Sequence, residues 1–259
     1  YYITTGREKK MLSEERHSAI LELLENKKAV TVSELTQILS TSESTIRRDL
    51  NALDHLGKLN KVHGGATAID KTYDVSEDDV ATKELQCIEE KKAIGKYAAS
   101  LIYDNDFVYI DAGTTTSCMI DYIENSKATF VTNGIAHAKK LLSNGLKTYV
   151  IGGRLKQSTE AVVGTEGICN MQRFNFTKSF LGANGISTTV GFTTPDTEEA
   201  AMKTEAAKRS MITIVLADHT KFSKVFSVTF AELRSTCIIT DQLADKAFKD
   251  ITVVKEVLV

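Results

Sequence analysis

No apolar run in this chain approaches the roughly 20 residues that cross a bilayer, and no charged-then-apolar stretch opens it. A membrane protein is not expected, and the compartment expected is the cytoplasm. Cysteines are few: Cys87, Cys118, Cys169 and Cys237 lie far apart, with no C-x-x-C and no histidine at metal-ligand spacing. That excludes a zinc site and a disulfide framework, so the thiols are expected as small buried residues in a reducing compartment and no metal is expected. Neither G-x-x-x-x-G-K-[ST] nor G-x-G-x-x-G occurs, so nucleotide binding has no support and no cofactor is expected. An excess of charge is missing too. The net charge is −2, and residues 11–66 hold seven Lys and Arg against eight Asp and Glu, which disfavours a purely electrostatic DNA binder while leaving room for a local patch. What remains, with 42% hydrophobic and 25% charged residues over 259 positions, is a globular chain long enough for a small domain and a larger one.

The most informative stretch that is present runs from Ser40 to Ala66. Ile46, Leu50 and Leu53 recur at i, i+4 and i+7, which predicts a helix with those residues inward and Ser44, Arg48, Asn51 and His55 outward, Arg47 on the flank. Ser42 fits the N-cap and places Ser44 and Thr45 in the first turn, the part that enters a major groove in helix-turn-helix proteins. An arginine there can grip guanine O6 and N7. Upstream, Thr31 and Glu34 have capping-box spacing before the apolar stripe Val32, Leu35, Ile38 and Leu39. Ala19, Ile20, Leu23 and Leu24 supply a first amphipathic helix. Downstream, Gly57 is expected to end the recognition helix. Residues 59–63 alternate like a strand before Gly64 and Gly65, a basic wing bearing Lys58, Lys61 and His63. Exposed arginines usually decorate a solvated face. The ordered set of two capped helices, a tight turn at Ser40 and Thr41, a polar stripe and a glycine-bounded wing points instead to double-stranded operator DNA.

Residues 1–10 match nothing that follows and are expected as a tag or disordered extension before a winged helix-turn-helix domain over 11–68. Residues 69–83 are expected as an acidic linker, with Asp70, Asp74, Glu77, Asp78 and Asp79 against Lys71. From residue 84 to 259 the pattern is helices alternating with short β-branched runs at 107–111, 129–132, 148–152, 179–182, 212–218, 237–240 and 251–254, which predicts a mainly parallel α/β sheet covered on both faces. Ligands in such sheets sit at the carboxyl ends of the strands. There the chain carries Asp111, Gly113, Thr114, Thr115 and Thr116; then Thr132 and Asn133; then Gly152, Gly153 and Arg154; then Gly182, Asn184 and Gly185; and finally Asp218 with Lys221. These five ends are expected to converge on one crevice. Lys221, Arg154 and the threonine loop, through its hydroxyls and backbone N–H groups, would neutralise a phosphate, and Asp111, Asn133, Asn184 and Glu199 would read hydroxyls, which together describe a phosphorylated sugar.

The run Thr45-Ile46-Arg47-Arg48-Asp49-Leu50, then Leu53, Gly57, Leu59 and Val62-His63-Gly64-Gly65-Ala66, resembles the N-terminal signature of DeoR-type bacterial repressors. It departs at Lys58, where a leucine is usual, and at Lys61, where an arginine is usual and lysine loses the planar fork. Asp111-Ala112-Gly113-Thr114-Thr115, Gly152-Gly153, Phe180-Leu181-Gly182 and Asp218-His219-Thr220-Lys221-Phe222 resemble the effector domain of that family, itself similar in fold to ribose-5-phosphate isomerase and glucosamine-6-phosphate deaminase. The resemblance implies a repressor released from DNA by a sugar phosphate. Phe192 to Ala201 most resembles the fructose-operon repressors, which implies fructose 1-phosphate, with tagatose 6-phosphate as another effector of the same class. A homodimer or homotetramer reading repeated half-sites is expected.

Two other classes compete. An architectural DNA binder would leave the large second domain without a role. A sugar-phosphate isomerase or deaminase would need a positioned carboxylate base. In the isomerases a glutamate lies 15 residues before the aspartate of their D-x-S-K motif; here 218 − 203 = 15 and Lys203 stands there, with Glu198 and Glu199 nearby. An ammonium is a poor general base, so no enzyme is expected.

Overall fold

A computed structural model describes residues 12–56, 58–68 and 80–258, which fall into two units divided between Lys71 and Thr72. Residues 1–10, Gly57 and most of the acidic stretch lie outside the described residues, and so do the expectations that rest on them.

In the first unit, α1 (Ser13–Lys27) opens where the Glu15 carboxylate accepts the Leu12 N–H at 3.0 Å, and it stops at Lys28, whose φ of +64° breaks the helix. A strand follows that the periodicity does not show, β1 (Ala29–Thr31), and then α2 (Val32–Ile38) and α3 (Glu43–His55). Thr31 caps α2 through the Glu34 N–H, but the reciprocal half of the capping box is not made: the Glu34 carboxylate pairs with Lys27 instead. Ile38 is exposed rather than buried. Ser40, at φ +46°, makes the expected tight turn. The wing is β2 (Asn60–Val62) and β3 (Gly65–Thr67), and β3 pairs with both β2 and β1. Glycine is required at the bend, because Gly64 has φ +87° and a Cβ on Gly65 would lie 2.1 Å from the Val30 carbonyl oxygen. Ile20, Leu24, Leu35, Ile46, Leu50 and Leu53 form the core of this unit, which sets the opposite side of α3 outward.

The second unit opens with α4 (Val80–Leu85), part of which falls in the stretch expected as linker, and α5 (Ile88–Ala99). It continues through β4 (Phe107–Ile110), α6 (Thr114–Ile120), β5 (Thr129–Thr132), α7 (Ile135–Ser143) and β6 (Lys147–Val150). Next come the hairpin β7 (Arg154–Lys156) and β8 (Ala161–Val163), α8 (Thr165–Met171), β9 (Phe176–Gly182), β10 (Gly185–Ser187) and β11 (Gly191–Thr194). The chain closes through α9 (Thr197–Lys208), β12 (Ser210–Leu216), β13 (Val228–Ala231), β14 (Cys237–Thr240) and β15 (Val253–Glu256).

Seven strands form one parallel sheet in the order β15-β14-β12-β9-β4-β5-β6. Side chains alternate between two cores: Val108, Ile110, Phe130 and Phe180 enter one, and Tyr109, Val131, Leu181 and Val215 the other. Burial on both faces is why these strands read as continuous apolar runs. The seven runs picked out from sequence are the seven strands of this sheet. The β7–β8 hairpin and the small antiparallel sheet β10-β11-β13 were not expected. The chain winds outward from β4 in one direction through β5 and β6, and in the other through β9 and β12. The order therefore reverses between β4 and β9, and a crevice opens at their carboxyl ends. Among the described residues no helix is long and apolar enough to cross a membrane.

Candidate functional site

The outward face of α3 carries Ser44, Arg48, Asn51 and His55, all exposed, with Arg47 beside them. Ser42 caps the helix by accepting the Thr45 N–H at 3.3 Å, and its oxygen is also 2.9 Å from the Ser44 and Thr45 hydroxyls, so much of its capacity is spent inside the protein. Arg47 lies 3.5 Å from the Glu43 carboxylate, a weak exposed pair. Arg48 has no hydrogen-bond or ion-pair partner among the described residues, so all five of its donors face solvent. The Asp54 carboxylate accepts the Lys61 N–H at 2.9 Å and ties the wing to α3, with Lys58, Lys61 and His63 exposed along it.

One residue of this unit escaped the sequence reading. Asp49 is buried and accepts Arg16 Nε at 2.8 Å and Nη2 at 3.0 Å, with His17 Nε2 at 3.2 Å, and the same bond holds the guanidinium pKa up. Its place was legible, three residues after Ile46 and four before Leu53, on the inward face.

In the second unit the crevice is a cleft of about 400 Å³ at the switch point. Asp111 follows β4 directly and is buried. Its carboxylate accepts the Gly182 N–H at 3.1 Å and a bond from the ammonium of Lys203, which projects from α9. Gly113, Thr114 and Thr115 line the cleft beside Gly182, Asn184 and Glu199. Lys203 and Lys221 line it as well. Lys221 sits on a short 3-10 turn fixed by Asp218, which accepts the Thr220 N–H at 3.0 Å, and by Asp241, which accepts the His219 N–H at 2.7 Å. Among the described residues Lys221 has no ion pair, which leaves its charge for a ligand.

Several expected residues do not line the cleft. Thr116 is buried and donates to the Asp111 carbonyl at 2.7 Å; Thr132 accepts the Gly134 N–H at 3.1 Å. Asn133 is consumed in bracing, accepting the Ala112 N–H at 2.9 Å and donating to the Val162 carbonyl at 3.2 Å. Gly185 lies in β10, where a Cβ would meet the Lys224 carbonyl oxygen at 2.5 Å. Gly152 and Gly153 bend the chain from β6 into the hairpin, so that strand end leaves the convergence and only four of the five expected ends meet. Arg154 is exposed and pairs with Glu198, so it does not face a phosphate in the cleft. The threonine loop also offers fewer N–H groups than expected, since those of Ala112 and Gly113 are taken by Asn133 and His137. The hydroxyls of Thr114 and Thr115, which line the cleft, remain among its donors. The cysteines are not buried: Cys169 is exposed and the other three are partly so.

His137 was missed, because a lone histidine in a helix carries no signal. It is buried on α7, receives the Gly113 N–H on Nε2 at 3.3 Å and lies 3.1 Å from Thr116 Oγ1. Burial pushes its pKa down to about 4, so at neutral pH it is an uncharged brace for the loop. The hairpin turn was also missed: Gln157, Ser158, Thr159 and Glu160 line the cleft.

A DNA-reading face on one unit and a small-molecule cleft on the other define a ligand-responsive transcription regulator. Residues 16–72 match the DeoR-like helix-turn-helix domain and residues 86–242 the DeoR C-terminal sensor domain. The chain belongs to the DeoR family of transcriptional regulators. It is 40% identical to the uncharacterized HTH-type transcriptional regulator FruR of Bacillus subtilis (strain 168), over 95% of this chain and 99% of that one. With the lactose phosphotransferase system repressor of Staphylococcus aureus (strain NCTC 8325 / PS 47) it shares 32% identity over 89% of this chain and 93% of that one. Ribose 5-phosphate isomerase from Methanocaldococcus jannaschii shows a partial likeness of fold alone, with TM-score 0.39 and 12% identity over 51% of this chain and 53% of that one.

Proposed function

We propose that this chain represses a sugar-utilisation operon, that of fructose, and leaves its operator when a phosphorylated sugar such as fructose 1-phosphate enters the cleft. The observation that carries this reading is the make-up of the cleft: an uncommitted ammonium at Lys221, hydroxyls at Thr114 and Thr115, and Lys203, held from behind by the buried Asp111, which is not itself a lining residue, around one small-molecule-sized space. A phosphate needs the first group and sugar hydroxyls suit the others. The name of the lactose phosphotransferase system repressor supports a sugar operon in general, and the resemblance of Phe192 to Ala201 to fructose-operon repressors supports fructose.

Sensing fits this cleft better than catalysis. Lys203 holds the position of the isomerase base and is bound to Asp111. The two carboxylates that would replace it are engaged, Glu198 by Arg154 and Glu199 by Lys156 and Thr159. On the DNA side, Ser42, Ser44, Thr45, Arg47, Arg48, Asn51, Lys58, Lys61 and His63 supply the contacts, read by a homodimer or homotetramer on symmetric half-sites. Ligand shifts the equilibrium only by binding one state more tightly, so operator DNA must weaken sugar-phosphate binding by the same factor as the ligand weakens DNA binding.

The test is calorimetry on the full chain with fructose 1-phosphate, fructose 6-phosphate, tagatose 6-phosphate and ribose 5-phosphate, with and without operator, and the same mixtures followed by NMR. Saturable binding, weakened by operator and without turnover, is the expected result. Equal affinity with and without operator would remove the coupling, and product formation would make the unit an enzyme.

A further inference from the structure

The β7–β8 hairpin presents its turn to the cleft, and its side chains divide into two sets. One set is spent on holding the turn. Lys156 Nζ lies 3.0 Å from both Asp196 and Glu199, Thr159 Oγ1 donates to Glu199 at 3.0 Å, and Arg154 pairs with Glu198, so the hairpin is tied to the first turn of α9. On its other side the Glu160 carbonyl accepts the Ile135 N–H at 3.1 Å, and the Asn133 carbonyl accepts the Val162 N–H at 2.7 Å, which fixes β8 to the end of β5. The turn is braced from both flanks. The other set is uncommitted: Gln157, Ser158 and Glu160 line the cleft, and among the described residues their side chains have no hydrogen-bond or ion-pair partner.

We propose that this turn is the specificity wall of the sensor: Gln157 and Ser158 hydrogen-bond the hydroxyls of a monophosphorylated sugar, and the Glu160 carboxylate refuses a second phosphate. The inference rests on the sugar-phosphate reading above. The physical argument is the charge inventory of the cleft. Lys203 is neutralised by Asp111, whereas the single ammonium of Lys156 is shared by Asp196 and Glu199, which leaves that cluster with one net negative charge. Lys83 and Glu84, which also line the cleft, carry opposite formal charges, so Lys221 is left to pair with one phosphate, and a second would face Glu160. A neutral amide and a hydroxyl on a braced turn lose little entropy on binding and discriminate by what they leave unpaired when a hydroxyl is missing.

Three probes test this on the full chain: fructose 1-phosphate, fructose 1,6-bisphosphate and inorganic phosphate, by calorimetry and thermal shift. The unaltered chain is expected to prefer the monophosphate over the bisphosphate. A Gln157→Ala, Ser158→Ala double variant is expected to lower fructose 1-phosphate affinity about tenfold more than that of inorganic phosphate. Glu160→Gln is expected to raise the bisphosphate affinity, relative to the monophosphate, by about fivefold. Both variants alter exposed side chains of a turn, and unchanged thermal unfolding without ligand shows that they fold. If the unaltered chain binds fructose 1-phosphate but the double variant weakens both ligands equally or neither, the hydroxyl-reading role is overturned. Bisphosphate binding as tight as that of the monophosphate overturns the role of Glu160. If the unaltered chain binds none of the sugar phosphates, the sensor reading falls and this inference with it.

Discussion

Both units bury a carboxylate against a cation, Asp49 with Arg16 in the winged helix and Asp111 with Lys203 in the α/β unit, yet the pairs differ in what they leave free. Arg16 meets Asp49 with two nitrogens of its fork while His17 adds a third contact. That pair fastens α1 to α3 and so fixes the angle of the recognition helix. Lys203 reaches Asp111 with one of its three donors at the wall of the cleft, and the others remain available toward the space it lines. The chemistry of a buried ion pair is the same in both places. Its role is decided by whether the cation also lines a space that a ligand can enter, as Lys203 does.

The largest expected effects break both pairs. Removing one partner leaves a buried charge uncompensated, so Asp49→Ala and Lys203→Met are each expected to destabilise their own unit by about 3–5 kcal/mol, read by urea unfolding. They should part company on ligand. Lys203→Met also removes stabilisation by fructose 1-phosphate, whereas Asp49→Ala leaves it in place. Adding Asp111→Asn to Lys203→Met is expected to recover most of the stability, since the amide oxygen still accepts the Gly182 N–H, without recovering ligand binding. Recovery of both would make Lys203 as purely structural as Arg16.

A second effect belongs to the α/β unit alone. His137 titrates near 4 in the folded protein against an ordinary value of 6.5. Between those values the unfolded chain binds a proton that the folded chain does not, so the contribution is complete above 6.5 and is lost as pH falls toward 4. It amounts to about 3 kcal/mol. Unfolding followed from pH 7 to pH 4 should show this slope, and His137→Gln should flatten it. A slope that persists in the variant would assign the titration to another group.

The parallel sheet was legible because strands buried on both faces leave unbroken runs such as Phe107 to Ile110, which no solvated element imitates. The recognition helix was legible for the opposite reason, since one buried and one solvated face separate Leu50 from Arg48. The hairpin at Arg154 to Val163 was not legible, because three-residue strands are too short for a period. His137 and the role of Asp49 failed on another ground: each takes its meaning from a partner distant in sequence, Gly113 and Arg16, which helical spacing does not reveal. Asn133 and Thr132 were placed at the correct strand end, but one turned inward to brace loops and the other capped its own chain.

The smallest effects separate Arg48 from Ser42, the N-cap of α3, both of which are proposed above as DNA contacts. Arg48 has no internal partner, so Arg48→Ala should leave stability unchanged, cost about 1–3 kcal/mol of operator binding and flatten the preference among sequences if the guanidinium reads a base. Ser42 is committed to the helix cap. Ser42→Ala should therefore cost about 1 kcal/mol of unfolding free energy in the winged-helix unit. Ser42→Asp preserves the cap while adding negative charge at the end of the helix expected to approach phosphates, so it should unfold like the unaltered chain and yet bind all DNA sequences more weakly. Thermal unfolding and gel-shift titration of the three variants distinguish the roles. An Arg48→Ala variant that weakens all sequences equally marks a phosphate contact, and a Ser42→Asp variant with unaltered DNA affinity moves the helix N-terminus away from the backbone.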